Sequence, residues 1–274
     1  MIHSDLPIGV FDSGVGGLTV LQALKQKLPN ESFLYLGDTA RLPYGTKSAD
    51  TIIRYVLQAV SLLASRGIKY LVVACNTASS VGLPALERQF QDFSITGVIE
   101  PGAKAASANS KSGKIAVIAT EATVNTQSYQ QAILRIKPSA QVISKSCGLM
   151  VALAEEGWHE GSAAISIAQT YLQPFLYHEK KPLVDCLVLG CTHFPTLLPA
   201  IQQVTGHAIT IIDSAKTTAD VVFDALNENG LMQATTGSSS TKFLVTDAPE
   251  RFTRVAKRFL NMEISDNDVE WVEL

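Results

Sequence analysis

Short, wholly apolar runs alternate along this chain with longer stretches in which apolar residues recur every three or four positions. The first pattern predicts strands covered on both faces and the second predicts amphipathic helices, so the alternation reads as βαβ units built on parallel sheets. Ile8-Gly9-Val10-Phe11 forms a first predicted strand. It runs into Asp12-Ser13-Gly14-Val15-Gly16-Gly17, after which a helix carries Leu18, Leu21 and Leu24. Ile52, Ile53, Val56, Val60 and Leu63 recur at helical spacing, and Gly67 suits the end of that helix. The strand Tyr70-Leu71-Val72-Val73-Ala74 follows, with Cys75 at its C-terminal end.

The second half repeats the pattern loosely. Ile115-Ala116-Val117-Ile118-Ala119 predicts a strand ending on Thr120. A helix around Ile165–Tyr177 leads to the strand Cys186-Leu187-Val188-Leu189-Gly190, which ends on Cys191. Cys75-Asn76-Thr77 and Cys191-Thr192-His193 therefore occupy matching places in two helix–strand–Cys–polar-loop units, about one domain apart. The Ser/Gly-rich stretch from Gly102 to Gly113 and the stretch Thr235–Thr241 read as loops. The last segment returns to a strand, Phe243-Leu244-Val245, and a helix from Pro249 to Leu260. The expected fold class is α/β, with one domain of residues 1–98 and 206–274 and a second of 99–205. In open parallel sheets ligands bind beyond the carboxyl ends of the strands. Asp12, Cys75, Thr120 and Cys191 all fall there, which makes those ends the candidate site.

Composition narrows the classes of function. The chain has 274 residues, 46% hydrophobic and 17% charged, enough for two domains with substantial cores. Its 22 basic and 25 acidic residues give a net charge of −3, which argues against a nucleic-acid backbone as partner. No apolar run approaches the ~20 residues that span a bilayer, and Met1-Ile2-His3-Ser4-Asp5 lacks the character of a signal peptide. Four cysteines do not make a disulfide scaffold at this size, so a reducing, cytoplasmic setting is expected, in which thiols stay available for chemistry.

A cysteine after a strand is ordinarily a small apolar filler. Cys186, inside its apolar run, reads that way, and for Cys147 filler is the favoured reading. Cys75 and Cys191 differ because Asn76-Thr77 and Thr192-His193 follow them at once. If helices begin there, N–H groups and the positive dipole end favour a thiolate. Two such thiols, one per domain, form a candidate acid/base pair. The rival reading of Cys186, Cys191 and His193 as metal ligands matches no common zinc spacing, so no metal is expected. The Gly-rich Asp12–Gly17 stretch has the wrong spacing for a dinucleotide loop, since Thr19 stands at the third glycine position, and it lacks Gly-Lys-Ser/Thr. Asp12 fits either a helix cap or a carboxylate facing an ammonium group or tuning a thiol or imidazole. His193, two residues past Cys191, is placed to assist proton transfer. Pro43-Tyr44-Gly45 reads as a turn closing another strand–loop unit, and Glu155-Glu156 as a solvated helix end.

These motifs resemble one family. Phe11-Asp12-Ser13-Gly14-Val15-Gly16-Gly17-Leu18-Thr19-Val20, Gly37-Asp38-Thr39-Ala40-Arg41 with Pro43-Tyr44-Gly45, Ala74-Cys75-Asn76-Thr77-Ala78-Ser79 and Gly190-Cys191-Thr192-His193-Phe194-Pro195 are similar to glutamate racemase signatures, in the family's order. Ile99-Glu100-Pro101-Gly102-Ala103 and Ile212-Asp213-Ser214 match as well. Phe194 stands where many members carry Tyr. The resemblance implies two pseudo-symmetric α/β domains, each a mainly parallel sheet flanked by helices, with glutamate in the interdomain cleft and no cofactor. It implies Cys75 as the base for the D-isomer and Cys191 for the L-isomer, assisted by Asp12 and His193, with Glu155 supporting. Asp12, Ser13, Tyr44, Gly45, Asn76, Thr77, Thr120, Thr123, Thr192 and His193 are the implied substrate contacts. The D-glutamate formed would serve peptidoglycan synthesis, cell-wall biogenesis and cell shape. An aspartate or related racemase is the alternative within this chemistry, and a non-catalytic dicarboxylate-binding protein the alternative outside it. The resemblance admits a homodimer and leaves open its geometry, a cell-wall-precursor activator and any secondary role such as gyrase inhibition.

Overall fold

The computed structural model describes residues 3–178, 181–233, 239–260 and 264–274. Packing divides the chain into two compact units, Met1–Val98 with Ala215–Leu274, and Ile99–Ser214. The chain runs through β1 (Ile8–Asp12), α1 (Leu18–Lys27), β2 (Phe33–Gly37), α2 (Ala49–Ser65), β3 (Tyr70–Val73), α3 (Asn76–Gln89) and β4 (Ser94–Gly97). The second unit holds α4 (Ile99–Asn109), β5 (Lys114–Ala119), α5 (Glu121–Asn125), α6 (Ser128–Ile136), β6 (Gln141–Ser146), α7 (Gly148–Glu155) and α8 (Gly161–Leu176). It continues with the short antiparallel pair β7 (Tyr177–His178) and β8 (Lys181–Pro182), then β9 (Cys186–Gly190), α9 (Leu198–Thr205) and β10 (Thr210–Asp213). The chain then returns to the first unit through α10 (Ser214–Glu228), β11 (Thr241–Val245), α11 (Pro249–Leu260) and β12 (Val269–Trp271).

In the first unit the described strands form a six-stranded parallel sheet in the order β12-β11-β2-β1-β3-β4. Every residue of β1, β2 and β3 is buried, as expected of parallel strands covered on both faces. On α2 the spacing seen in the sequence becomes a stripe. Ile52, Val56, Val60 and Leu63 are fully buried, each worth roughly 1.5–3 kcal/mol, whereas Ile53 sits at the margin of the stripe. Gly67, at φ +77°, takes the left-handed conformation that ends this helix. Lys69, wholly buried, ties three segments together. Its Nζ lies 2.5 Å from Glu31 Oε2 and donates to the carbonyls of Ser4 (2.6 Å) and Leu231 (2.8 Å).

The second unit carries a four-stranded parallel sheet in the order β10-β9-β5-β6. Its core gathers Ile115, Val117, Ala119, Val188 and Ile212 with Ala103 and Ala106 of α4 and Tyr129 and Ile133 of α6. Three expectations change here. Residues 102–109, expected to be a loop, belong to α4; Ile99, Ala103 and Ala106 give that helix a narrow buried face, and Gly102 lets Tyr129 pack closely against it. The second domain boundary falls at 214/215 and not at 205/206, because β10 pairs with β9 and so belongs with the second sheet. The helix before β9 starts earlier than expected, at Gly161, and Tyr177 has already left it. Of the predicted loop 235–241, residues 235–238 lie outside the described residues, and Thr241 opens β11. Among the described residues no helix is long and apolar enough to cross a membrane.

Candidate active site

Parallel pairing brings strand ends into line. In the first sheet Asp12 is level with Gly37, and Phe11 with Val73, so Asp12, Asp38 and Cys75 emerge along one edge. The Ala74 N–H donates to Phe11 O at 2.8 Å and holds the start of the Cys75 loop against β1. Asp12 is fully buried, and its Oδ2 accepts the N–H of Gly14 at 2.9 Å. Gly17, and not Asp12, occupies the N-cap position of α1. Asp12 organises the loop instead. Glycines in and beside that loop make room for close approach: a Cβ on Gly17 would stand 2.5 Å from Asp12 Cβ, and one on Gly37, at the end of β2, would stand 2.4 Å from Gly14 O.

Cys75 is 5% exposed and is the N-cap of α3, where its sulfur accepts the N–H of Ala78 at 3.4 Å. Negative charge developing on that sulfur meets the positive end of the helix. The Ser13 hydroxyl oxygen lies 3.5 Å from the same sulfur, with the thiol donating. Asn76 and Thr77 follow in the first turn of α3 and are buried. Tyr44 opens a 3-10 turn, Tyr44–Thr46, and its ring joins the apolar cluster that contains Phe11 and Cys75.

In the second sheet Ala119 is level with both Gly190 and Ser146, which places Thr120, Cys191 and Cys147 on adjacent strand ends. Thr120 caps α5, accepting the Thr123 N–H at 3.4 Å, and the two threonine hydroxyl oxygens lie 3.0 Å apart. Cys191 is 5% exposed. No α-helix begins behind it, contrary to expectation. Pro195, which has no N–H to donate, enters a 3-10 turn over Phe194–Leu197, and α9 starts only at Leu198. An imidazole takes the place of the helix end. His193 Nδ1 is 3.7 Å from Cys191 Sγ, and His193 Nε2 is 3.2 Å from Glu155 Oε1. Burial disfavours the charged imidazolium, but the hydrogen bonds and charges of Cys191 and Glu155 outweigh it and push His193 up to about 10. Glu155 is half-buried and turned to His193, while Glu156 is exposed, so the solvated-end reading holds only for the second glutamate.

The other two thiols differ. Burial pushes Cys147 and Cys186 each up to about 12, which keeps them protonated and inert. Cys186 opens β9 and Cys191 lies beyond its far end, ~16 Å along an extended strand, so these two cannot share a metal with His193. Among the described residues no group of three or more His, Cys, Asp or Glu side chains is placed to hold a metal ion. The structure also adds Asp38 to the first edge. The sequence held a signal for it, a carboxylate directly after a strand as at Asp12, but assigned it no role.

Comparison with known proteins identifies the family. The sequence matches the Asp/Glu/Hydantoin racemase family over residues 8–222. A glutamate racemase of Geobacter metallireducens is 46% identical over 259 residues, 94% of either chain. The crystal structure of a glutamate racemase isoform from Bacillus anthracis superposes with TM-score 0.92 at 35% identity, covering 99% of each chain. That of the Francisella tularensis glutamate racemase, in complex with D-glutamate, gives 0.90 at 35% identity and 98% coverage of each. An aspartate racemase from Picrophilus torridus shares the fold at TM-score 0.57 but only 16% identity. The chain belongs to the Asp/Glu/hydantoin racemase family and, within it, to the glutamate racemases.

Proposed function

We propose that the chain interconverts L- and D-glutamate through two thiols, one from each unit, acting on opposite faces of Cα. One observation carries the reading: both units set a buried cysteine just past the C-terminal end of a parallel strand, each with its own polarising partner. The relatives act on glutamate by name, and aspartate racemases are only remote structural matches. A Cα–H beside a carboxylate is a very weak acid, so an unassisted thiolate would be a poor base for it. The site must stabilise carbanionic character while water is kept out.

In this mechanism Cys75 removes the proton from D-glutamate and Cys191 returns one to the other face; the roles reverse for L-glutamate. Asp12 serves the Cys75 side. His193, held by Glu155, serves Cys191 as proton partner and as counter-charge to its thiolate. Ser13, the Tyr44-Gly45 turn, Asn76 and Thr77 form the substrate contacts of the first unit, and Thr120, Thr123 and Thr192 those of the second. Neutral donors and strand-end N–H groups suit a dicarboxylate. D-Glutamate made in this way feeds peptidoglycan synthesis. We place the enzyme in the cytoplasm, where thiols stay reduced.

The test is circular dichroism of purified protein with D- or L-glutamate and no added cofactor, repeated in D₂O. Both enantiomers are expected to racemise, and activity should survive chelators and borohydride but fall to thiol alkylation, with glutamate protecting. At early conversion the product should carry deuterium at Cα while recovered substrate stays protiated. Loss of activity on chelation, restored by metal, would refute the mechanism, as would return of the original proton to the product.

A further inference from the structure

The Asp38 carboxylate lies outside the proposed chemistry, yet three side chains converge on it at the first strand edge. It is fully buried directly after β2, and its backbone N–H donates to Asp12 O at 3.1 Å. Oδ2 accepts from Arg41 Nε at 2.7 Å and from the Tyr44 hydroxyl at 2.5 Å, while Oδ1 accepts from the Thr246 hydroxyl at 2.9 Å. One residue thereby joins the ends of β1, β2 and β11 to the 3-10 turn at Tyr44. A buried carboxylate needs both a counter-charge and hydrogen-bond donors, and here it has both. Arg41 supplies the charge and is itself fixed, by Gln58 Oε1 at 2.6 Å and by lying 4.1 Å over the Tyr55 ring.

The load falls on Tyr44. Its ring is 1% exposed and packs 6.3 Å from Phe11, the residue before Asp12, and 5.9 Å from Tyr55. Burial and the adjacent carboxylate hold its phenol far above the usual range, so the hydroxyl stays a donor and the bond to Asp38 persists at any working pH. Such an arrangement immobilises a short turn whose backbone would otherwise be free to shift. We propose that Asp38 is a positioning residue, which sets the Tyr44-Gly45 turn for substrate at the Cys75 edge through the Tyr44 hydroxyl. The inference rests on the glutamate reading above and adds to it the device that prepares one substrate contact in advance.

Tyr44→Phe, which deletes only the hydroxyl, tests it. The KM for both enantiomers is expected to rise about tenfold with kcat within about threefold of wild type, the pattern of lost binding and not of lost chemistry. Asp38→Asn should move KM the same way. The double variant should be no worse than Asp38→Asn alone, because both changes remove one interaction. Where Asp38→Asn fails to fold, Thr246→Val replaces it. That variant loosens the carboxylate from its other oxygen and should raise KM about threefold. A lowered melting temperature with unchanged KM would reduce Asp38 to a purely structural clamp and overturn the inference, as would effects that multiply in the double variant. A wild type inactive on glutamate strikes the functional reading itself; an active wild type with unaltered KM in the variants strikes this inference alone.

Discussion

Replacing Glu155 by Gln should move the alkaline limit of the enzyme, and the structure sets the scale. The Glu155 carboxylate lies 3.2 Å from His193 Nε2. At that distance a unit charge pair is worth about 5 kcal/mol at an effective dielectric of 20 and about 1 kcal/mol in bulk water. The Glu155 side chain is 22% exposed, and the glutamine retains a hydrogen bond, so the lower part of this range applies. About 1–3 kcal/mol corresponds to roughly a ten- to hundredfold loss in the proton affinity of the imidazole. The profile of kcat/KM against pH reports ionisations of the free enzyme. In wild type its alkaline limb should reflect His193, near 10. In Glu155→Gln that limb should fall by about one to two pH units, with kcat near neutrality lower by about tenfold. Stability must follow with a definite sign. The folded protein binds the His193 proton more tightly than the unfolded chain, so this pair's contribution is complete below the unfolded value of about 6.5 and disappears as pH rises through about 10. The gap in melting temperature between wild type and Glu155→Gln should therefore be widest near pH 6 and closed above pH 10. Initial rates by circular dichroism and parallel thermal melts across that interval decide the matter. An unmoved alkaline limb would mean that Glu155 does not govern His193.

Three further outcomes are expected. Cys75→Ser and Cys191→Ser should each abolish racemisation, since a serine hydroxyl is too weak an acid to furnish the base; each should retain HX elimination from a β-substituted glutamate, with opposite preference for the enantiomers. The same preference in both variants would contradict one cysteine per face. Asp12→Asn and His193→Asn should slow turnover by roughly 10²-fold or more while the fold persists. Each residue serves one face, so the two directions should be affected unequally; because two enantiomers have equal free energy, kcat/KM must fall equally in both, and the difference has to appear in kcat and KM separately. Wild-type rates would demote both residues to structural roles. Lys69→Met should cost about 3–5 kcal/mol in denaturant unfolding, because it leaves Glu31 buried without its cation. A loss below about 1 kcal/mol would show that Glu31 finds water or another partner.

The features legible in the sequence were those in which burial and period agree. β9 reads directly from Cys186 to Gly190 because both its faces are covered, and the α2 stripe reads because only one of its faces is. Placement of Cys75 and Cys191 follows from strand ends alone. Features set by distant partners were not legible. Helix α4 looked like a loop because Pro101, Gly102 and Ser107 are weak helix signals, and it is stabilised by packing on α6 and β9. The edge strand β6 alternates exposed with half-buried positions and offers no apolar run. The Glu155–His193 link spans 38 residues of chain, and no local pattern separates the 3-10 turn behind Cys191 from the start of an α-helix. So the two thiols are polarised differently, one by a helix end and one by an imidazole, where the sequence suggested equivalence.

The sheet order of the first unit has a consequence for biosynthesis. β2 is flanked on one side by β1, made just before it, and on the other by β11, which begins at Thr241. Until that late segment leaves the ribosome, the β2 backbone has an open edge, the kind of surface on which strands of other chains add. At about 5–20 residues per second, the wait from the end of β4 to the end of β11 is roughly seven to thirty seconds. The intervening unit, one continuous stretch from Ile99 to Ser214, can close during that interval, so the nascent enzyme should pass through a state with its second unit folded and its N-terminal sheet unfinished. A ribosome-stalled chain ending before Thr241 should therefore depend on chaperones that a chain extended past Trp271 can do without.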